Sequence, residues 1–361
     1  MIIIIGAGPT GCFLGGLLAK AGKEVSIYEE HSCIGRPVQC TGIVTKDIEN
    51  IIKLKDKFIV NKVEKIRVYS KNNKVEIPTD DIVLDREKFD KYLAEKAKEY
   101  GAKICLEHKF LGIKGKKAVF ADKNNKIKTV KAEYIIGADG VLSDVSKANA
   151  MFDKRKFYLG IQARVKGKYD RKKYEVYLGS VCDDFFGWVV PESENIARVG
   201  IASKKNAKKK FREFLKIKKV EESDIIEYQG GLIPVYDKNQ MVKRKDVFLI
   251  GDAAGQVKAT TGGGIVPGLR AAKILTDCLI NGKDYRKRLR KLNRELKIHL
   301  KIRKILNKFT DKDYNRLIEI IDNKKVKRVL NKYSRDNPVK LILGILLKKP
   351  SIVKYTTKFI N

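Results

Sequence analysis

Three histidines and six cysteines in 361 residues leave little material for a metal centre. The cysteines (Cys12, Cys33, Cys40, Cys105, Cys182 and Cys278) show no C-x-x-C spacing and no histidine partners. A zinc site and a secreted disulfide scaffold are therefore excluded, no metal is expected, and the reading is a reducing, cytoplasmic compartment. Proline is scarce at 8 and the 28 glycines follow no period, while hydrophobic residues reach 43%. That composition belongs to a globular chain and excludes collagen-like and disordered classes. No apolar run reaches the ~18 to 20 residues that span a bilayer. The first, Met1 to Ile5, ends at a glycine turn, and the last long one, Leu341 to Leu347, is bracketed by Lys340, Lys348 and Lys349. The latter suits a membrane interface rather than a crossing.

Acidic residues are also short: 43 Asp and Glu face 78 Lys and Arg, a net charge of +35. From Asn281 to the end there are 25 basic and 7 acidic side chains, so +18 of that excess lies in the last 81 residues. Such a balance draws phosphate-rich partners without choosing among nucleic acid, an anionic membrane surface and an anionic cofactor or substrate. The length allows two or three domains, at roughly 100 to 200 residues each.

What the chain does have begins at its N-terminus. Ile2 to Ile5 is a β-branched run suited to a strand buried on both faces of a parallel sheet. It enters Gly6-Ala7-Gly8-Pro9-Thr10-Gly11, an apolar helix follows from Cys12 to Ala21, and a second strand, Glu24 to Tyr28, ends at Glu29. This is a complete βαβ dinucleotide fingerprint. Gly6 permits the tight turn, Gly8 lets the backbone approach a pyrophosphate, and Gly11 lets helix and strand pack closely, with Pro9 and Thr10 opening the helix whose N–H groups meet the phosphates. Glu29 stands where an acid accepts hydrogen bonds from adenosine ribose hydroxyls, which disfavours a 2′-phosphate.

Two further strand-to-turn units follow. Tyr134-Ile135-Ile136 runs into Gly137-Ala138-Asp139-Gly140, and Val247 to Ile250 runs into Gly251-Asp252-Ala253-Ala254-Gly255, then Thr261-Gly262-Gly263-Gly264-Ile265. The ordered set resembles the FAD-binding pattern of glutathione-reductase-like flavoproteins, in the branch that includes para-hydroxybenzoate hydroxylase and the geranylgeranyl reductases. The resemblance implies that Asp252 holds the ribityl chain and pyrophosphate, that Arg86, at the helix start Leu84 to Asp90, contacts FAD, and that Phe110 faces adenine. No second fingerprint exists for a pyridine nucleotide, so an electron donor would bind transiently.

Within that branch, Gly35-Arg36-Pro37-Val38-Gln39-Cys40-Thr41-Gly42 resembles the loop of archaeal geranylgeranyl reductases, the digeranylgeranylglycerophospholipid reductases among them, that lies beside the flavin. Cys40 falls on that loop's cysteine and is the one residue to name as a possible acid; Thr41 accompanies it. Phe186-Gly187-Trp188-Val189-Val190-Pro191 resembles the same enzymes' substrate-domain signature, which implies that Phe186, Trp188 and Pro191 face substrate. Gly263, Gly264 and Ile265 match their glycine loop beside the flavin ring. The resemblance covers roughly residues 1 to 280. Ala259 departs from it where a proline precedes the Thr-Gly-Gly run, which leaves substrate length and head group open.

The fold expected is α/β: a discontinuous, doubly wound FAD-binding domain over 1–45, 81–150 and 234–282, and an inserted, mostly antiparallel substrate-binding sheet over 46–80 and 151–233. Residues 283–361 read as a basic helical C-terminal region, with Leu289, Leu292, Leu296 and Leu300 as its packing stripe. The reaction implied is reduction of isolated C=C bonds in an isoprenoid lipid or a prenyl diphosphate, with hydride from reduced flavin N5 and a proton from a positioned acid. An unactivated alkene offers no carbonyl to polarise, so that acid and a dry apolar tunnel matter more than an oxyanion hole. The basic tail suits an enzyme peripheral to the inner membrane face. An aromatic hydroxylase shares the FAD motifs and stays open as an alternative. A halogenase would show Trp-x-Trp-x-x-Pro, and Phe186 replaces its first tryptophan. A flavin-containing nucleic-acid binder would use the basic tail, yet no RNA-binding motif accompanies it.

Overall fold

The computed structural model describes residues 1–152 and 155–350. The chain divides into two compact units: Met1–Val38, Arg86–Lys156 and Ile233–Lys297 form the first, and Gln39–Asp85, Phe157–Leu232 and the chain from Ile298 onward form the second.

The first unit is built on a six-stranded sheet. Its strands are β1 (Ile2–Ile5), β2 (Val25–Tyr28), β6 (Lys103–Cys105), β10 (Tyr134–Gly137), β16 (Lys243–Arg244) and β17 (Val247–Leu249), in the order β16-β17-β10-β1-β2-β6. All pairs are parallel except β16 with β17. The four isoleucines of β1 are all buried, as a central parallel strand covered on both faces requires. Helices α1 (Pro9–Lys20), α2 (Arg86–Glu99) and α5 (Ile265–Asn281) belong to this unit, with the short α3 (Asp144–Ala148) and α6 (Tyr285–Arg288). A three-stranded meander, β7 (His108–Lys114), β8 (Lys117–Asp122) and β9 (Ile127–Lys131), adds aromatic core: Phe120 stacks on Tyr28 with ring centroids 4.1 Å apart.

The sequence pattern suggests one strand over Lys103 to Lys109. The structure breaks it, because Glu107 takes a left-handed backbone (φ 57°) and the chain leaves the parallel sheet to start the meander.

The second unit carries an eight-stranded sheet in the order β15-β11-β14-β13-β12-β4-β5-β3. Its strands are β3 (Ile43–Val44), β4 (Ile59–Tyr69), β5 (Lys74–Leu84), β11 (Phe157–Lys166), β12 (Lys173–Tyr177), β13 (Phe186–Pro191), β14 (Ile196–Ser203) and β15 (Ile225–Pro234). From β11 to β3 the pairing is antiparallel except for β12 with β4. Helix α4 (Ala207–Ile217) lays Phe211, Phe214 and Leu215 on Val199 and Ile201 of β14, and its lysines remain outside.

Up to residue 350 the C-terminal region is helical, with α7 (Arg290–Leu306), α8 (Asp311–Ile321), α9 (Lys324–Lys332) and α10 (Pro338–Lys348), and the last part of the expected region, 351–361, lies outside the described residues. They do not form a unit of their own. The division falls inside α7, after Lys297, so 283–297 go with the first unit and the rest with the second. Leu289, Leu292 and Leu296 are buried, so the leucine stripe does pack. Further along, Arg335 donates to Asp81 of β5 (2.6 Å) and to Tyr174 of β12 (3.1 Å), tying the α9–α10 turn to the sheet.

Candidate cofactor and substrate sites

In the first unit, β1 leads through Gly6 into α1. Gly6 has φ +100°, and a Cβ there would sit 2.5 Å from the Ala138 carbonyl oxygen. A Cβ on Gly11 would run into the carbonyl oxygen of Gly6. Both glycines are thus fixed by packing. Gly8 differs: a Cβ there meets nothing within 4 Å, so the backbone at the N-cap of α1 borders open space. Pro9 opens the helix, and the N–H groups of its first turn have no partner within it. Glu29, after β2, meets the Ala7 amide at 2.8 Å through Oε2, and the His31 amide (3.1 Å) and ring Nδ1 (2.6 Å) through Oε1. A carboxylate has about four lone-pair sites, so one, on Oε2, remains for a ribose hydroxyl.

The late motif meets the early one at Thr10. A Cβ on Gly268 would lie 2.5 Å from Thr10 Oγ1, and one on Gly251 3.1 Å from it. Asp252 follows Gly251, and a Cβ on Gly264, the N-cap of α5, would sit 2.8 Å from its Oδ1. Among the described residues the Asp252 carboxylate accepts no hydrogen bond. Burial pushes its pKa up, against the pull of Arg86 and Arg155. An acceptor so placed suits a ligand's hydroxyl groups. Ile265 is buried as the first residue of α5. Gly263 faces Lys258, whose amide donates to the Gly263 carbonyl at 3.1 Å and closes the glycine loop.

The remaining expected residues of this unit have protein partners of their own. Arg86 pairs with Asp90, Nη2 to Oδ2 at 2.9 Å and Nε to Oδ1 at 3.2 Å, and its charge also acts on the Asp252 carboxylate. Phe110 is 6% exposed and edge-on to Phe120, inside the apolar core of the unit. Asp139 of the central turn accepts from Ser143 Oγ (2.6 Å) and the Val145 amide (3.0 Å), so it organises the start of α3.

Arg155 went unrecognised in the sequence. Its guanidinium donates to the carbonyls of Val141 (2.7 Å), Asp252 (3.2 Å) and Ala253 (2.8 Å), joining the central and late turns. Burial holds its pKa below the usual arginine value. No local motif marks it, since its partners lie up to 98 positions away.

The second unit carries the remaining candidates. Cys40 is half-buried, and its Sγ accepts from the Gly42 amide at 3.3 Å. Trp188, 8% exposed, donates from its indole N–H to Gln162 Oε1 at 3.1 Å. Phe186 lies edge-on to Trp188 and stacks on Phe185, while Pro191 is buried at the end of β13 with its carbonyl accepting from Asn61. The Thr41 hydroxyl donates to the same Gln162 oxygen at 2.8 Å, and the Thr41 carbonyl accepts from Arg198. The sequence reading also missed Gln162, Arg198 and Glu192.

Comparison with known proteins agrees with this geometry. The FAD binding domain family matches residues 1–281. A digeranylgeranylglycerophospholipid reductase from Thermoplasma acidophilum is 30% identical over 79% of this chain and 79% of its own length. One from Methanocaldococcus jannaschii is 27% identical over 98% and 96%. The crystal structure of a geranylgeranyl bacteriochlorophyll reductase-like protein from Thermoplasma acidophilum superposes with a TM-score of 0.84 at 26% identity, covering 99% of this chain and 98% of that one. A flavin-dependent brominase, at 16% identity and a TM-score of 0.73, shares the fold. With its open Gly8 cradle and the acceptor at Asp252, the chain is an FAD-dependent oxidoreductase and belongs to the geranylgeranyl reductase family.

Proposed function

We propose that this protein saturates C=C bonds of geranylgeranyl chains in archaeal-type phospholipids or their precursors. The observation that carries the reading is the pairing of a dinucleotide cradle with relatives named as reductases of this lipid over nearly their whole length. FAD supplies the hydride equivalent when it is reduced.

The chain's own residues do the rest. The first turn of α1 and the backbone at Gly8 bind the pyrophosphate, Glu29 holds the ribose, and Asp252 accepts from the ribityl hydroxyls. Phe186 and Trp188 offer an apolar, water-excluding surface to the prenyl chain. Cys40 holds the proton that the second alkene carbon receives. Hydride and proton together would convert each C=C to CH–CH.

A bilayer-borne substrate fits the C-terminal helices. Of the six large apolar residues of α10 none is buried, and Leu343 and Leu347 are 55% and 80% exposed. Lys340, Lys348 and Lys349 surround them, with the strongly basic α9 before. An apolar face ringed by lysines suits the interface of an anionic leaflet, where each lysine adds ~1 kcal/mol. No helix among the described residues is long and apolar enough to cross a membrane.

Incubating the dithionite-reduced holoenzyme anaerobically with geranylgeranyl phospholipid tests the function. The expected product gains two hydrogens per saturated bond by mass; unchanged lipid in the presence of bound, reduced flavin would reject the reading.

A further inference from the structure

The turn that carries Cys40 is held by a network of uncharged side chains on the sheet. Gln162 of β11 and Trp188 of β13 both register on Gly200 of the intervening strand β14. A Cβ on Gly200 would lie 2.5 Å from Gln162 Cβ and 2.6 Å from Trp188 Cζ2, so the glycine is what lets the indole reach across a strand to the amide. The indole N–H can only donate, which fixes the acceptor as the Gln162 side-chain oxygen. That oxygen also receives the Thr41 hydroxyl at 2.8 Å. The Gln162 amide nitrogen then donates to Gln229 Oε1 at 2.7 Å, and Gln229 to Glu227 at 3.2 Å. Every orientation in the chain follows from the first.

The main chain of the same turn is held separately. Arg198, 5% exposed, donates to the carbonyls of Thr41 and Leu84 and pairs with Glu192, which also takes Arg164. A Cβ on Gly42 would meet Leu84 O at 2.5 Å and Arg198 Nη1 at 2.8 Å. With the backbone clamped there, the Thr41 side chain links the turn to Trp188 through Gln162.

We propose that Gln162 is a positioning residue for the reduction: its side-chain oxygen joins the Cys40-Thr41 turn to the Trp188 indole, so that the proton-bearing turn and the aromatic surface hold one relative placement. This rests on the prenyl-reductase reading. A polar amide, 4% exposed at that place, costs stability unless its hydrogen bonds are used, and here all of its polar atoms are engaged. An apolar side chain would fill the space equally well and leave the turn and the indole uncoupled.

Trp188 is the single tryptophan, so its indole N–H gives one unambiguous resonance in a 1H–15N spectrum of the holoenzyme. Gln162→Met keeps the length and removes the acceptor. The expected result is an upfield move of the indole proton, faster exchange with solvent, and a fall of about tenfold or more in kcat with little change in KM. Thr41→Val should lower kcat similarly while the indole resonance stays in place, and the double variant should lose little more, since both act through one oxygen. Gln162→Glu, which retains the acceptor, should recover the indole shift. An unmoved indole resonance in Gln162→Met, or wild-type kcat in Thr41→Val, overturns the inference, and the second result stands even if Gln162→Met fails to fold. If the wild-type enzyme leaves geranylgeranyl lipid unreduced, the functional reading fails instead, and the indole spectrum separates the two outcomes.

Discussion

The contrast between Gly8 and Gly11 separates binding from folding within one six-residue motif. At Gly11 a methyl group collides with the Gly6 carbonyl and presses on Ala138 Cβ at 3.2 Å, so Gly11→Ala must shift backbone. Overpacking of this kind costs about 1 to 3 kcal/mol, and more where backbone rather than a flexible side chain has to yield. At Gly8 the same methyl enters open space, and the backbone there (φ −68°, ψ 176°) is one that alanine adopts freely. The folding cost of Gly8→Ala is then the loss of a fair N-cap residue, roughly 0.5 kcal/mol. The methyl does fill the place where a pyrophosphate approaches the helix start. Losing one or two charge-assisted hydrogen bonds of about 1.5 to 3 kcal/mol each weakens FAD binding by roughly tenfold to several hundredfold or more. Thermal unfolding of the flavin-free proteins and quenching of FAD fluorescence on titration measure the two effects. Gly11→Ala should unfold early; Gly8→Ala should unfold with the wild type and bind FAD weakly. Wild-type FAD affinity in Gly8→Ala, or instability equal to that of Gly11→Ala, would refute the assignment of this cradle.

Three further outcomes follow from the same residues. Cys40→Ala should leave FAD binding intact and reduce the rate of lipid reduction by about 10²-fold, the usual weight of a positioned acid; rapid-quench turnover checks it, and an unchanged rate removes Cys40 from the chemistry. Burial raises the Glu192 pKa, but hydrogen bonds from Arg164 and the charge of Arg198 outweigh it and leave the carboxyl below its usual range. Its stabilisation is therefore complete above the ordinary carboxylate pKa of about 4.3 and is lost as pH falls through the lower folded value. Glu192→Gln should cost about 3 to 5 kcal/mol at neutral pH and flatten the acid side of a Tm against pH curve. Leu343→Asp with Leu347→Asp should abolish co-flotation with anionic vesicles and leave turnover of detergent-dispersed lipid unchanged; flotation equal to the wild type would exclude α10 as the contact.

The fold was legible where local rules and tertiary demands agree. The isoleucine run of β1, the glycine turn and the apolar helix after it form one continuous signal, and Gly251 ends β17 in the same manner. The alternating pattern of 173–178 and 196–203 marks β12 and β14 for the same reason. The break at Glu107 was not legible, since the turn is held from far back in the chain, the Glu107 amide donating to the His31 carbonyl (3.2 Å) and the His108 amide to the Glu29 carbonyl (2.8 Å). The polar side of the site was hidden more deeply. Gln162 meets Thr41 across 121 positions and Arg198 meets it across 157, so no window of sequence contains both partners. In the sequence a lone glutamine inside an apolar strand carries no motif; its meaning comes from Gly200, which clears the path to Trp188.

Anaerobic reoxidation of the reduced flavin by the lipid ties cofactor and substrate to one reaction. The holoenzyme is reduced with one equivalent of dithionite, mixed with geranylgeranyl phospholipid, and followed by flavin absorbance alongside product mass. The oxidised spectrum should return without oxygen, with one C=C bond saturated per flavin reoxidised. A flavin that stays reduced with the lipid, yet reoxidises in oxygen while hydroxylating an aromatic compound, would contradict it.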